Sequence, residues 1–224
     1  MKLWLLPALA IGLGVAGVAI TLWMSRAYGL VPDCRVFIDG CISISAAGRR
    51  EPSVFIFRAT VIPMATLLSL VWWLNLSWLR SLGVSIQSWT RSLLHLLGTV
   101  TPVSLIVYIA LIGAAGDQVH AIRQLAIQTY FPATLLAKII LAGVLLQRPQ
   151  PRLGRWLPRL MLIIAVVVLL AAVASVVLAA TLPDPSKAHN LLQWHATSAF
   201  AAWYVLLAMA WGRSAFRIHS RAGS

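Results

Sequence analysis

Apolar residues run along this chain in six long windows: Leu3 to Trp23, Val54 to Leu76, Ser92 to Ala115, Gln124 to Gln147, Leu160 to Leu182 and Leu191 to Gly212. A hydrocarbon core ~30 Å thick takes about 20 such residues per helix. Backbone polar groups cannot stay unpaired in hydrocarbon, so each window predicts a helix. The ten-residue alternation of an outer-membrane barrel does not occur. The expected fold is all-α, a polytopic six-helix transmembrane bundle forming one domain over residues 1–224. Its connections are short except the first, Met24 to Ser53.

The first window is longer than a usual signal-peptide core, and "TLWMSRA" is a poor cleavage site. It is expected to be an uncleaved first helix. Gly12, Gly14 and Gly17 in "GLGVAG" spell a dinucleotide-binding pattern, but no strand precedes them. Close helix packing is the expected use of these glycines.

Composition agrees: 60% of the 224 residues are hydrophobic and 10% charged, against roughly a quarter charged in soluble domains. Sorting the basic residues by loop gives an orientation. One side holds Lys2, Arg80, Arg91, Arg148, Arg152, Arg155, Arg159, Arg213, Arg217 and Arg221. The other holds Arg26, Arg35, Arg49, Arg50, Arg123 and Lys187. Ten against six places both termini in the cytoplasm. All five acids (Asp33, Asp39, Glu51, Asp117, Asp184) fall on the opposite, exterior side. The net charge of +13 is therefore almost wholly a cytoplasmic-face property, suited to anionic lipid headgroups. With no basic domain outside the short loops, membrane lipids rather than nucleic acid are the expected partners.

Trp72, Trp73 and Trp78, with Trp23, Trp156 and Trp211, fall near predicted helix ends and are expected to anchor at the headgroup level. Cys34 and Cys41, the only cysteines, lie in the exterior loop. They either remain free or form a disulfide, whose short loop would gain ~2–3 kcal/mol. Their spacing fits no zinc pattern.

Ionisable residues inside spans mark function by default. Arg58 lies about one turn into the second window. It either snorkels to phosphate headgroups or faces the bundle interior and pairs with an acid or a lipid phosphate. Lys138 is expected to snorkel toward the cytoplasmic interface. In "GDQVHAIRQLAIQ", Asp117, His120, Gln124 and Gln128 share one helical face. In "HNLLQWHATS", His189, Gln193 and Thr197 repeat at four, beside a second stripe of His195 and Ser198. Interhelical hydrogen bonding is the plain reading. The sharper reading turns these stripes inward, with Arg58, around a polar cavity at the outer leaflet. There His120 and His195 are the candidate acid–base pair. His95 and His219 fall on the cytoplasmic side and carry no role. No HExxH or similar cluster occurs, so neither a metal nor another cofactor is expected.

The stretch "SISAAGRREPSVFIFR", with Ser43, Ser45, Gly48, Pro52, Ile56, Phe57 and Arg58, resembles the segment after the first membrane helix in the FRAG/DRAM/SFK membrane family. That family includes the eukaryotic protein of lipid remodelling after GPI attachment and the N-terminal membrane region of the fungal GPI-ceramide protein. The similarity covers nearly the whole chain. It extends to "DQVHAIRQLAI", where His120 matches a histidine opening the fourth helix, and to "HNLLQWHATSAFAAWYVLL". In the latter the family often has an acid before an aromatic, whereas Gln193 precedes Trp194 here, which weakens an acid–base role for Gln193.

The resemblance implies lipid or glycolipid remodelling or recognition at the outer leaflet. Arg58, Ser43, Ser45, Gly48, Asp117, Gln124, Gln128, His189 and Gln193 would contact the headgroup. The short, arginine-rich loops suit a bacterial plasma membrane equally, where no GPI exists. Two alternatives remain: a non-catalytic lipid-binding scaffold or regulator of lipid distribution, and a small-solute transporter. The latter draws on Pro63, Pro102 and Pro132, expected to interrupt three helices.

Overall fold

The structure, a computed structural model, describes residues 2–217. Arg221 and His219 lie outside the described residues. Eight helices follow in order: α1 (Leu5–Ala27), α2 (Val36–Asp39), α3 (Ile44–Ala47), α4 (Ser53–Ser81), α5 (Ser88–Ala110), α6 (Asp117–Gln147), α7 (Trp156–Thr181) and α8 (Ser186–Arg213). Five of these, α1 and α4 to α7, are long and apolar enough to cross a membrane. The chain is thus an all-helical, multi-pass membrane protein. Helix α8 is as long as the others, but its histidines, glutamine and Trp/Tyr residues lower its hydropathy.

Several helices outrun their apolar windows. At 31 residues, α6 is about 46 Å long, well beyond the ~30 Å core. Its first turn carries Asp117, ahead of the apolar window that begins at Gln124. Helix α5 instead stops at Ala110, short of Ala115, because the chain turns through Gly113 and Gly116 at φ 82° and 113°. A Cβ at Gly113 would meet the Arg49 carbonyl.

The six long helices form a closed ring. Each packs on its chain neighbours, and α8 returns to α1. On α1, Gly14 meets Met64 and Gly17 meets Thr60 so closely that neither site has room for a Cβ. Those two glycines do bring α1 onto α4, whereas Gly12 faces open space. Pro63, Pro102 and Pro132 do not interrupt their helices; each sits inside a continuous one. Neighbouring helices and local adjustments can satisfy the freed carbonyls.

The ring has two unlike halves. Near the chain termini its centre is filled by Trp72, Trp78, Trp203, Trp211 and aliphatic residues from every long helix. Three of these four indole N–H groups are paired across the ring: Trp72 Nε1 donates to Tyr204 Oη (3.1 Å), Trp211 Nε1 to Asn75 Oδ1 (3.1 Å) and Trp78 Nε1 to Ser214 Oγ (2.9 Å), while Trp203 Nε1 has no partner among the described residues. Trp72, Trp78 and Trp211 are therefore core residues rather than headgroup anchors. An indole that finds an internal acceptor loses nothing by burial. Trp23, Trp73 and Trp156 do face outward.

At the opposite face α2 and α3 lie over the ring, in the 28–52 segment. Cys34 and Cys41 are joined there by a disulfide. Ser25 Oγ hydrogen-bonds the Ala47 carbonyl (2.5 Å) and shares a second bond with Ser53 Oγ (2.6 Å), tying α3 to α1 and α4.

Candidate functional site

Under α2 and α3 the ring is hollow. A chamber of about 440 Å³ lies among α1, α4, α5, α6 and α8, within the ~300–1,000 Å³ range of small-molecule sites. Its walls are aliphatic and aromatic, including Leu22, Val61, Leu105, Tyr130 and Phe131, and Phe37, Ile44 and Ser45 form its roof. Tyr204 and Leu68 close the floor against the solid half.

A second cavity, about 680 Å³, lies beside the first, between α6 and the α7–α8 pair. Its cause is visible in α7, which buries Leu157, Met161, Ala165 and Val168 but nothing beyond Val168. The later half of α7 touches α8 at Ser175 but buries no residue of its own, which leaves a lateral groove. Phe131, Gln193 and Phe200 line both cavities.

The polar stripes of α8 hold the roof. Asn190 Nδ2 donates to Gly40 O (2.9 Å), Trp194 Nε1 to Ile42 O (2.8 Å) and His195 Nε2 to Phe37 O (3.1 Å). Gln193 Oε1 accepts from Ile44 N at 3.1 Å. Four side chains on consecutive turns thus answer backbone groups of a short-helix loop that would otherwise lack partners. Phe37 also packs edge-on to Trp194 and His195, with centroids at 5.3 and 5.6 Å.

Of the headgroup contacts expected from sequence, Ser45 and Gln193 line the chamber, and Ser43, His189 and Gln193 line the groove. Ser43 Oγ also caps α3 by accepting from Ala46 N (3.1 Å) and lies 3.3 Å from Ser45 Oγ. His189 Nε2 donates to Ser175 O at 2.9 Å, bridging α8 to α7.

The others lie elsewhere. Asp117, His120, Gln124 and Gln128 share one face of α6, but that face is exposed and points out of the bundle. None of the four lines either cavity. Arg58 Nη2 donates to the Ile112 carbonyl at 2.5 Å, in the turn after α5. It answers the carbonyl end of that helix, where a cation is favoured. Gly48 gives room to the Phe57 ring. His195 is exposed on the roof, and neither it nor His120 lines either cavity. The expected convergence of Arg58 with both histidines in one cavity is thus replaced by an apolar chamber with polar groups at its roof end.

Lys138 departs furthest from expectation. It does not snorkel outward but is fully buried. Its Nζ lies 3.7, 4.4 and 5.0 Å from the ring centroids of Phe200, Tyr204 and Trp203. Nζ makes no hydrogen bond among the described residues. Side chains on a helix lean toward its N-terminus, which here carries the ammonium toward the chamber floor. Three aromatic faces supply the electrostatic attraction that water would otherwise give. In the sequence a single lysine with Phe200, Trp203 and Tyr204 at i, i+3, i+4 on another helix carries no sign of that meeting.

Compared with protein-family models, with curated proteins and with solved structures, the chain matches none.

Proposed function

We propose that the protein is a six-span membrane protein with both termini in the cytoplasm that binds a lipid in the chamber beneath its exterior loop. In this reading α8 is the sixth span, its polar residues covered by the loop it holds. The charge asymmetry supports the orientation. The biological role is lipid or glycolipid recognition, or its remodelling, at the outer leaflet, as the family resemblance implies. The membrane is the plasma membrane if the chain is bacterial.

One observation carries the reading: a chamber with mostly apolar walls, whose roof end carries Ser45 and Gln193 and whose floor hydroxyl, Tyr204 Oη, is already taken by Trp72 Nε1. That polarity matches an amphiphile with its chain inside the ring and its linkage near Ser45 and Gln193. Recognition without catalysis is favoured over chemistry, because His120 and His195 are both off the chamber wall. The transporter reading loses its support, since the three prolines sit in unbroken helices.

Native mass spectrometry of the detergent-extracted protein tests the reading. A copurifying lipid, displaced in a Val61→Trp variant that fills the chamber, is the expected result. A protein that carries and binds no lipid overturns it. Alanine at His120 and His195 separates the roles: loss of lipid turnover with binding retained would restore the enzyme.

A further inference from the structure

We propose that chamber and groove together form one site for a two-chain lipid, with one acyl chain on each side of the partition made by Phe131 and Phe200. This rests on the lipid-binding reading above and adds the class of ligand. The two rings are stacked, with centroids 6.2 Å apart and planes 26° from parallel. They are the wall common to both cavities. The partition is braced from behind, since the Lys138 ammonium lies 3.7 Å from the Phe200 ring centroid.

The polar groups are divided in the same way. Ser45 belongs to the chamber and Ser43 to the groove, with their hydroxyls 3.3 Å apart, and Gln193 belongs to both. A glycerol-type linkage at this junction would present one ester to each cavity. The unburied half of α7 leaves the groove side facing hydrocarbon, so a lipid can slide in from the bilayer.

Inside a membrane, transfer from water supplies no driving force, and selectivity comes from contact. An unfilled cavity forfeits the contacts of its lining atoms. A single-chain amphiphile fills one space and leaves the other, whereas a two-chain lipid fills both.

The test uses the full chain, purified and stripped of lipid, with dioleoyl-phosphatidylglycerol, its single-chain lyso form and a polyprenyl phosphate as probes. Binding is read by native mass spectrometry and competition. The diacyl lipid is expected to bind about tenfold or more tighter than either single-chain probe, one per protein. Ala172→Trp fills the groove and Ala201→Trp the chamber. Each is expected to abolish that preference while the lyso lipid still binds. Lys138→Met, which frees Phe200, is expected to lower the diacyl-to-lyso ratio with thermal stability held as the control.

Equal binding of lyso and diacyl lipid by the unsubstituted protein, or tighter binding of the polyprenyl phosphate, overturns the proposal and leaves the chamber reading standing. No binding of any probe overturns both. The comparison on the unsubstituted protein needs no variant to fold.

Discussion

The half of the ring near the termini and the half beneath α2 and α3 are built from the same six helices, yet they are held together differently. In the first, α4 and α8 meet across the axis through paired indoles, and burial leaves no space. In the second, neighbouring helices still pack but the axis is hollow, and what covers it is a loop fastened to α8 and α1 by side chains that bond its backbone. The solid half fixes the helix positions, which lets the other half keep a cavity without collapsing. Indole packing fills the axis of the one, and side-chain hydrogen bonds to the loop backbone cover the hollow axis of the other. The two should therefore fail under different insults.

The largest effect is expected in the solid half. Trp78→Ala removes a fully buried indole and should cost about 3–5 kcal/mol, read as a fall in SDS or thermal unfolding midpoint. A loss below about 1 kcal/mol would remove the distinction between the halves. Next comes the roof. Cys34→Ser with Cys41→Ser opens a loop whose closure contributes ~2–3 kcal/mol. Hydrogen exchange should speed over residues 36–47 while the indole core keeps its protection.

Between the halves, Gly17→Leu wedges α1 from α4 and should cost about 1–3 kcal/mol. Gly12→Leu, with nothing near it, should cost almost nothing, and equal losses at the two sites would contradict the packing described. Smaller again, Asn190→Ala removes one latch at ~0.5–1.5 kcal/mol. It should loosen the Gly40 region in hydrogen exchange and leave Trp fluorescence of the core unchanged.

The smallest effect concerns the start of α8. Asp184 Oδ1 accepts from Ser186 Oγ (2.5 Å) and Ser186 N (3.0 Å). The hydroxyl first, then the backbone N–H, hold its carboxyl below the ordinary 3.8. A depressed carboxyl contributes fully above its unfolded value, and the contribution is lost as pH falls through the folded one. Acidification below the ordinary 3.8 should therefore fray the first turn of α8 in circular dichroism. Asp184→Asn should show no such pH dependence.

Residue by residue, the sequence was most legible where one force ruled. Apolar length alone located the long helices, because hydrocarbon permits no other backbone. His189 and Gln193 drew notice as polar groups in an apolar helix, and Ser43 and Ser45 through the family resemblance; all four line one or other cavity. Facing was harder. Asp117, His120, Gln124 and Gln128 share a stripe, but periodicity says only that they share a face, and the packing of α6 on α5 and α7 turns that face outward. Trp72, Trp78 and Trp211 sit at depths where anchoring and burial look alike in sequence. The meeting of Lys138 with Phe200 is set by the path of two helices distant in the chain, and no local pattern records it. The unburied later half of α7 is equally silent, since its valines and leucines suit lipid and protein contact alike.

The closed ring has a consequence for how this protein is made. Helix α8 supplies one wall of the chamber, the seam with α1 and four of the side chains that latch the overlying loop. Until it is synthesised, the preceding helices can only form an open crescent, with Leu68 and Phe131 bathed in bilayer. The container and its cover thus come into being together, once α8 joins the helices before it.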